Sequence, residues 1–198
     1  MAHDTAGHLY RLFADLLGYP TPALARQAQE AAACAGTGQA AALLTGFHSF
    51  VEQTPPARLE ELYTGTFDLQ AVCYPYVGYH LFGDSYKRGM FMAQLNAGYR
   101  ERDFSAENEL PDHVAVVLRF LATAHADPSL SREGTEAERS GAAVPEDEFS
   151  QTLLDEGLIP ALDTMARAFG DQSDNPYAGV IRALLLVLRG EREGVRDA

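Results

Sequence analysis

Glu109-Leu110-Pro111-Asp112-His113 sets two carboxylates and an imidazole around a proline, a composition suited to holding a cation or moving a proton. Proline is favoured in the first turn of a helix, so Pro111 predicts a helix start there, with Asn108 or Glu109 as the cap. Asp112 and His113 would then stand beside free backbone N–H groups. Two readings stay open. In one, Asp112 stabilises its own helix and His113 bonds locally. In the other, the Asp112 carboxylate, with Glu109, receives an arginine guanidinium from a bound peptide, and His113 orients that carboxylate or senses pH.

A second cluster runs His80-Leu-Phe-Gly83-Asp84-Ser85-Tyr-Lys-Arg88-Gly89. His80, Asp84 and Arg88 are four apart and would share a face of an unbroken helix, but Gly83 predicts a break with Asp84 or Ser85 capping a new helix. Asp84 and Arg88 would then form a surface pair worth about 0.3–0.5 kcal/mol. The rival idea is a phosphate cradle in the Gly83–Gly89 loop of a nucleotide-binding or hydrolysing protein. Neither glycine-rich phosphate motif is present. A third cluster, Tyr63 to Asp68 with Tyr74, Tyr76 and Tyr79, surrounds Cys73 and Pro75. Rings this dense, Phe67 among them, build either a core or the wall of a groove for an extended or helical peptide.

Catalysis finds no footing. Paired Glu-x-x-His elements for a di-iron bundle are absent, and the scatter of His3, His8, His48, His80, His113 and His125 lacks zinc-ligand spacing. No serine sits in a Gly-x-Ser-x-Gly elbow. No catalytic residue, cofactor or metal site is expected. Cys34 and Cys73, the two cysteines, read as separate reduced thiols. A net charge of −13 and a pI near 4.7 disfavour nucleic acid and anionic membranes and suit a basic peptide. With no run of about 18 apolar residues and no signal-like start, a cytoplasmic protein is expected.

Helix signals recur along all 198 residues, and no strand pattern appears, so an all-α, single-domain bundle of about eight to nine helices is expected. Leu9, Leu12, Phe13, Leu16 and Leu17 mark the first helix. Thr21-Pro22 and Thr54-Pro55 each supply a capping hydroxyl before a proline to start a helix. Between them lies a helix carrying Leu43, Leu44, Phe47, Phe50 and Val51. A short helix spans about Tyr76 to Phe82, and another runs to about Arg102. Residues 127–144 turn polar and read as a flexible connection that permits exchange of the last two helices, and hence a domain-swapped dimer beside the monomer. Pro145 starts a long helix that Pro160 should bend. Asn175-Pro176 opens an apolar, central last helix whose charged tail after Gly190 should fray.

The order and spacing of Tyr63-x-x-Thr66-Phe67-Asp68, His80-x-x-Gly83-Asp84-Ser85-x-x-Arg88-Gly89, Leu95, Tyr99, Glu109-Leu-Pro-Asp-His113 and Leu118-x-Phe120-Leu121-Ala122 resemble the NarJ branch of the TorD/DmsD/NarJ chaperones. Asn175-Pro176-Tyr177-Ala178 is similar to that family's C-terminal end. The resemblance implies a non-catalytic helical chaperone, also called the nitrate reductase delta subunit. It would bind the twin-arginine-type N-terminal leader, or its remnant, of a molybdopterin oxidoreductase catalytic subunit while the molybdenum cofactor is inserted. The implied client is respiratory nitrate reductase or a related enzyme. The implied peptide site takes in Phe67, Asp68, Tyr76, His80, Asp84, Arg88, Glu109, Asp112 and His113.

Overall fold

The computed structural model describes residues 2–69, 71–106, 108–124, 148–170 and 173–196, all of them helices and their connections, with no strand among them. The connection expected at 127–144 and the start at Pro145 lie outside the described residues. The chain runs α1 (Ala2–Leu16), α2 (Leu24–Cys34), α3 (Gln39–Gln53), α4 (Pro56–Phe67), α5 (Val77–Phe82), α6 (Tyr86–Glu101), α7 (Val114–Ala124), α8 (Glu148–Thr152), α9 (Ile159–Ala168) and α10 (Pro176–Arg196). A π-helical turn, Leu153–Leu158, joins α8 to α9 as one continuous rod. The described part is therefore nine rods, within the expected range.

The core is built where apolar spacing is densest. In α7, Val114 to Leu118 and Phe120 to Ala122 are all buried, leaving Arg119 as the polar interruption. This helix packs on α1, which also contacts α2, while α10 lies across α3 and α9. Tyr177, Val180, Ile181, Leu184 and Leu188 of α10 are buried, as its apolar face required. Tyr63 and Phe67 of α4 meet Tyr177 edge-on at ring separations of 5.9 and 5.0 Å, which ties α4 to α10.

Three helix ends differ from expectation. Thr54 donates its hydroxyl backward to the Phe50 carbonyl at 2.6 Å, closing α3, so α4 begins after Pro55 without a side-chain cap. Thr21 accepts the Ala23 N–H at 3.3 Å in a turn, and α2 starts only at Leu24. The charged tail does not fray at Gly190 but is helical through Arg196. An ion pair from Arg192 to Asp155 fastens it to the rod beneath, next to one from Arg189 to Asp163 just ahead of Gly190. At Pro160, where a bend is expected, the observed irregularity is the π-helical turn just ahead of it, consistent with a missing backbone donor at that proline.

Candidate functional site

The site is organised by a short antiparallel clip between two loops. Tyr76 and His113 form an isolated bridge. The Val77 N–H donates to the Asp112 carbonyl at 2.7 Å, and the Val114 N–H donates to the Pro75 carbonyl at 2.8 Å. From below, the Tyr99 hydroxyl donates to the Pro111 carbonyl at 2.8 Å. These bonds pull Pro111, Asp112 and His113 out of helical geometry. The first turn expected at Pro111 therefore begins at Val114, and the cap is His113 rather than Asn108 or Glu109. His113 Nδ1 accepts the Ala115 N–H at 3.1 Å, and its carbonyl accepts the Val117 N–H at 3.0 Å. Glu109 instead accepts its neighbour Leu110 N–H at 2.9 Å.

Asp112 is fully buried, and its charge is met from within the chain. Arg88 of α6 donates from Nε to Oδ2 at 2.8 Å and from Nη2 to Oδ1 at 3.3 Å. This corrects two expectations. Asp112 has no free face for a peptide guanidinium, and Arg88 pairs with Asp112 rather than with the exposed Asp84. The carboxylate bond raises the Arg88 guanidinium further above its ordinary range. The guanidinium carbon also lies 5.0 Å from the Tyr76 ring centre and 6.0 Å from that of Tyr79. Gly78 makes this fit possible, because a Cβ there would stand 2.8 Å from Asp112 Oδ2 and 3.1 Å from Arg88 Cγ. With Arg88 committed, the Gly83–Gly89 loop is left with Lys87 as its cation beside Asp84, a poor setting for phosphate.

Above the clip opens a groove of about 420 Å³, lined by Tyr19, Tyr63, Phe67, Pro75, Tyr76 and Val116, with Asp68, Glu109, His113 and Arg119 as its charged and polar members. Five of the nine expected site residues thus meet: Phe67, Asp68, Tyr76, Glu109 and His113. Arg88 and Asp112 lie underneath as support. His80 and Asp84 do not reach it. His80 Nε2 bonds the Tyr74 carbonyl at 2.7 Å, and Asp84 stays on the surface. Three contributors escaped sequence reasoning. Tyr19 enters from the α1–α2 turn, between Gly18 and Pro20, whose types mark only the end of a helix. Arg119 was hidden inside an apolar helix pattern, though a lone arginine there was itself a signal. Gly78 stood unremarked among tyrosines.

The electrostatics divide the groove. Burial pushes the Tyr63 hydroxyl up to about 12, helped by Glu109, Tyr76 and Asp68. Tyr76 is raised by burial and then by the same Glu109, with Asp112 and Asp68 adding to it and Arg88 opposing. His113 is lowered, chiefly by burial and secondarily by Arg119, so it is neutral near pH 7. Arg119 is partly neutralised by Asp15 at 3.2 Å.

Residues 30–180 match the family model described as nitrate reductase delta subunit. The chain belongs to this family. The match spans all nine expected site residues and bears out the resemblance carried by the 63–122 motifs. The chain is 33% identical over 152 residues to the nitrate reductase-like protein NarX of Mycobacterium tuberculosis, covering 76% of this chain but 22% of NarX. It is 27% identical over 159 residues to the probable nitrate reductase molybdenum cofactor assembly chaperone NarJ of Bacillus subtilis, covering 79% of this chain and 73% of that one. A putative redox enzyme maturation protein from Archaeoglobus fulgidus, 22% identical, superposes with a TM-score of 0.56 over 93% of both chains, which places this delta subunit family member in the same fold. No helix among its described residues is long and apolar enough to cross a membrane.

Proposed function

We propose that this protein is a non-catalytic, cytoplasmic assembly chaperone. In this reading it binds the N-terminal leader of a molybdopterin oxidoreductase catalytic subunit, a nitrate reductase or a related enzyme, and keeps the apoenzyme open to molybdenum cofactor insertion. The observation that carries the reading is the groove itself. Its wall is aromatic and apolar, its rim is acidic, and its floor is fixed by the clip and the buried ion pair, which is the form of a preorganised peptide site. Membership of the nitrate reductase delta subunit family and the likeness to the NarJ chaperone of Bacillus subtilis favour the same partner class.

The test is calorimetric titration of the protein with a synthetic leader peptide from the nitrate reductase catalytic subunit of the same organism. Saturable one-to-one binding is expected, weakened at least tenfold by Tyr19→Ala, which removes an exposed wall ring without opening the core. Binding that ignores Tyr19 would move the ligand away from this groove.

A further inference from the structure

We propose that the groove recognises its peptide at two points, a basic side chain held between Asp68 and Glu109 and a main-chain carbonyl held by His113 Nε2–H. The proposal deepens the peptide-binding reading and rests on it.

Asp68 and Glu109 come from different parts of the chain, the end of α4 and the loop before α7, yet both line the same groove. Both act on the Tyr63 and Tyr76 hydroxyls, so their charges converge on one mouth. Neither carboxylate is in an ion pair among the described residues, whereas Asp15, Asp112, Asp155 and Asp163 each have an arginine. Each acid is followed by an exposed leucine, Leu69 at 70% and Leu110 at 43%. Two anions lining one groove whose wall is aromatic, each next in sequence to an exposed leucine, suit a lysine or arginine whose alkyl stem lies on apolar surface while its head group reaches the carboxylates. Free phosphate or an acidic segment would be repelled from the same mouth.

His113 supplies the second point. Its side chain is nearly enclosed, with 5% of the residue exposed, and it lines the groove. Because Nδ1 accepts the Ala115 N–H, the neutral ring carries its proton on Nε2. That donor has no protein partner among the described residues, and as part of the groove lining it is open to an acceptor that enters there. The Tyr76 ring stands edge-on at 5.5 Å and holds the imidazole plane. A peptide carbonyl passing over Tyr76 is such an acceptor.

The experiment pairs the leader peptide with a version in which citrulline and glutamine replace its arginines and lysines. Both are titrated at pH 7.5 into native protein, into Asp68→Asn/Glu109→Gln, and into His113→Asn, which keeps a capping acceptor but drops the ring donor; thermal melts check that each variant is folded. The native protein should favour the charged peptide at least tenfold, and the double variant should lose that preference along with its salt dependence. His113→Asn should weaken both peptides alike by several fold. Undiminished preference in the double variant overturns the clamp while peptide binding stands. Unchanged affinity in His113→Asn overturns the carbonyl contact. Failure of the native protein to bind either peptide sinks the underlying reading together with both points.

Discussion

Arg88 and Asp112, twenty-four residues apart, are joined at two points, with the carboxylate fully buried and the arginine side chain 15% exposed. This pair pins α6 to the loop that opens α7, directly under the Tyr76 ring that walls the groove. The sequence resemblance assigned both residues to ligand contact. Their observed geometry turns them toward each other beneath the groove, while Asp68 and Glu109 are the carboxylates that line it.

Breaking that pair from either side should be severe, because the survivor is a buried charge without a counterion. Arg88→Met and Asp112→Ala should each lower stability by about 3–5 kcal/mol, whereas the double replacement Arg88→Met/Asp112→Leu should cost clearly less than the sum. Urea unfolding of the four proteins checks this. Simple additivity would mean that the two residues are not energetically coupled.

Gly78 is the space that allows the pair to form. In Gly78→Ala the new methyl would stand 2.8 Å from Asp112 Oδ2 and 3.0 Å from Phe91 Cδ1. Overpacking of this kind costs about 1–3 kcal/mol, and the displaced Asp112 loop should carry His113 with it. The expected result is a lower melting temperature and weaker leader binding together. Gly89→Ala, inside α6 with nothing within 4 Å of the added carbon, is the control and should lower neither, its melting temperature rising if anything.

Local pattern was enough to place the helices that bury a continuous apolar face. The rows of Val114, Val117, Leu118 and Leu121 and of Val180, Ile181, Leu184 and Leu188 read directly as α7 and α10. What local pattern missed was set by distant partners. Pro111 carries a first-turn signature, but Pro75, Val77 and Tyr99 capture the backbone of residues 111–114, and the helix start moves to Val114. Histidine is not a favoured cap, so His113 gave no warning of that role. The groove was legible in part, since Phe67, Asp68, Tyr76, Glu109 and His113 belong to recognisable clusters. Tyr19 and Arg119 join them only because α1 packs on α7. The tail past Gly190 looked ready to fray until Asp155 supplied Arg192 with a counterion.

Cys73 lies 3.7 Å from His80 Nε2, a spacing that invites a thiolate–imidazole reading. That nitrogen is already committed to the Tyr74 carbonyl at 2.7 Å, and burial raises the Cys73 thiol to about 12. The thiol should therefore be inert in the folded protein. Titration with a thiol reagent at pH 8 should modify Cys34 first, with Cys73 reacting only on unfolding. Prompt reaction of two thiols in the native state would refute the assignment.

His113 links the fold to pH. Its native pKa lies below the ordinary value of about 6.5, chiefly through burial, with Arg119 acting the same way and Glu109 and Asp112 opposing. His80 is shifted in the same direction by burial, against its bond to Tyr74. For a base depressed in the folded state, the unfolded chain takes up protons first, so stability is complete above about pH 6.5 and is lost as pH falls toward the native values. Protonation of His113 also removes the Nδ1 lone pair that caps Ala115, loosening the start of α7 beside the groove. The urea midpoint should fall between about pH 7 and about pH 5, and His113→Asn, which keeps a capping acceptor that does not titrate, should flatten part of that fall. An identical slope in the variant would show that His113 binds its proton equally well in the folded and unfolded chains.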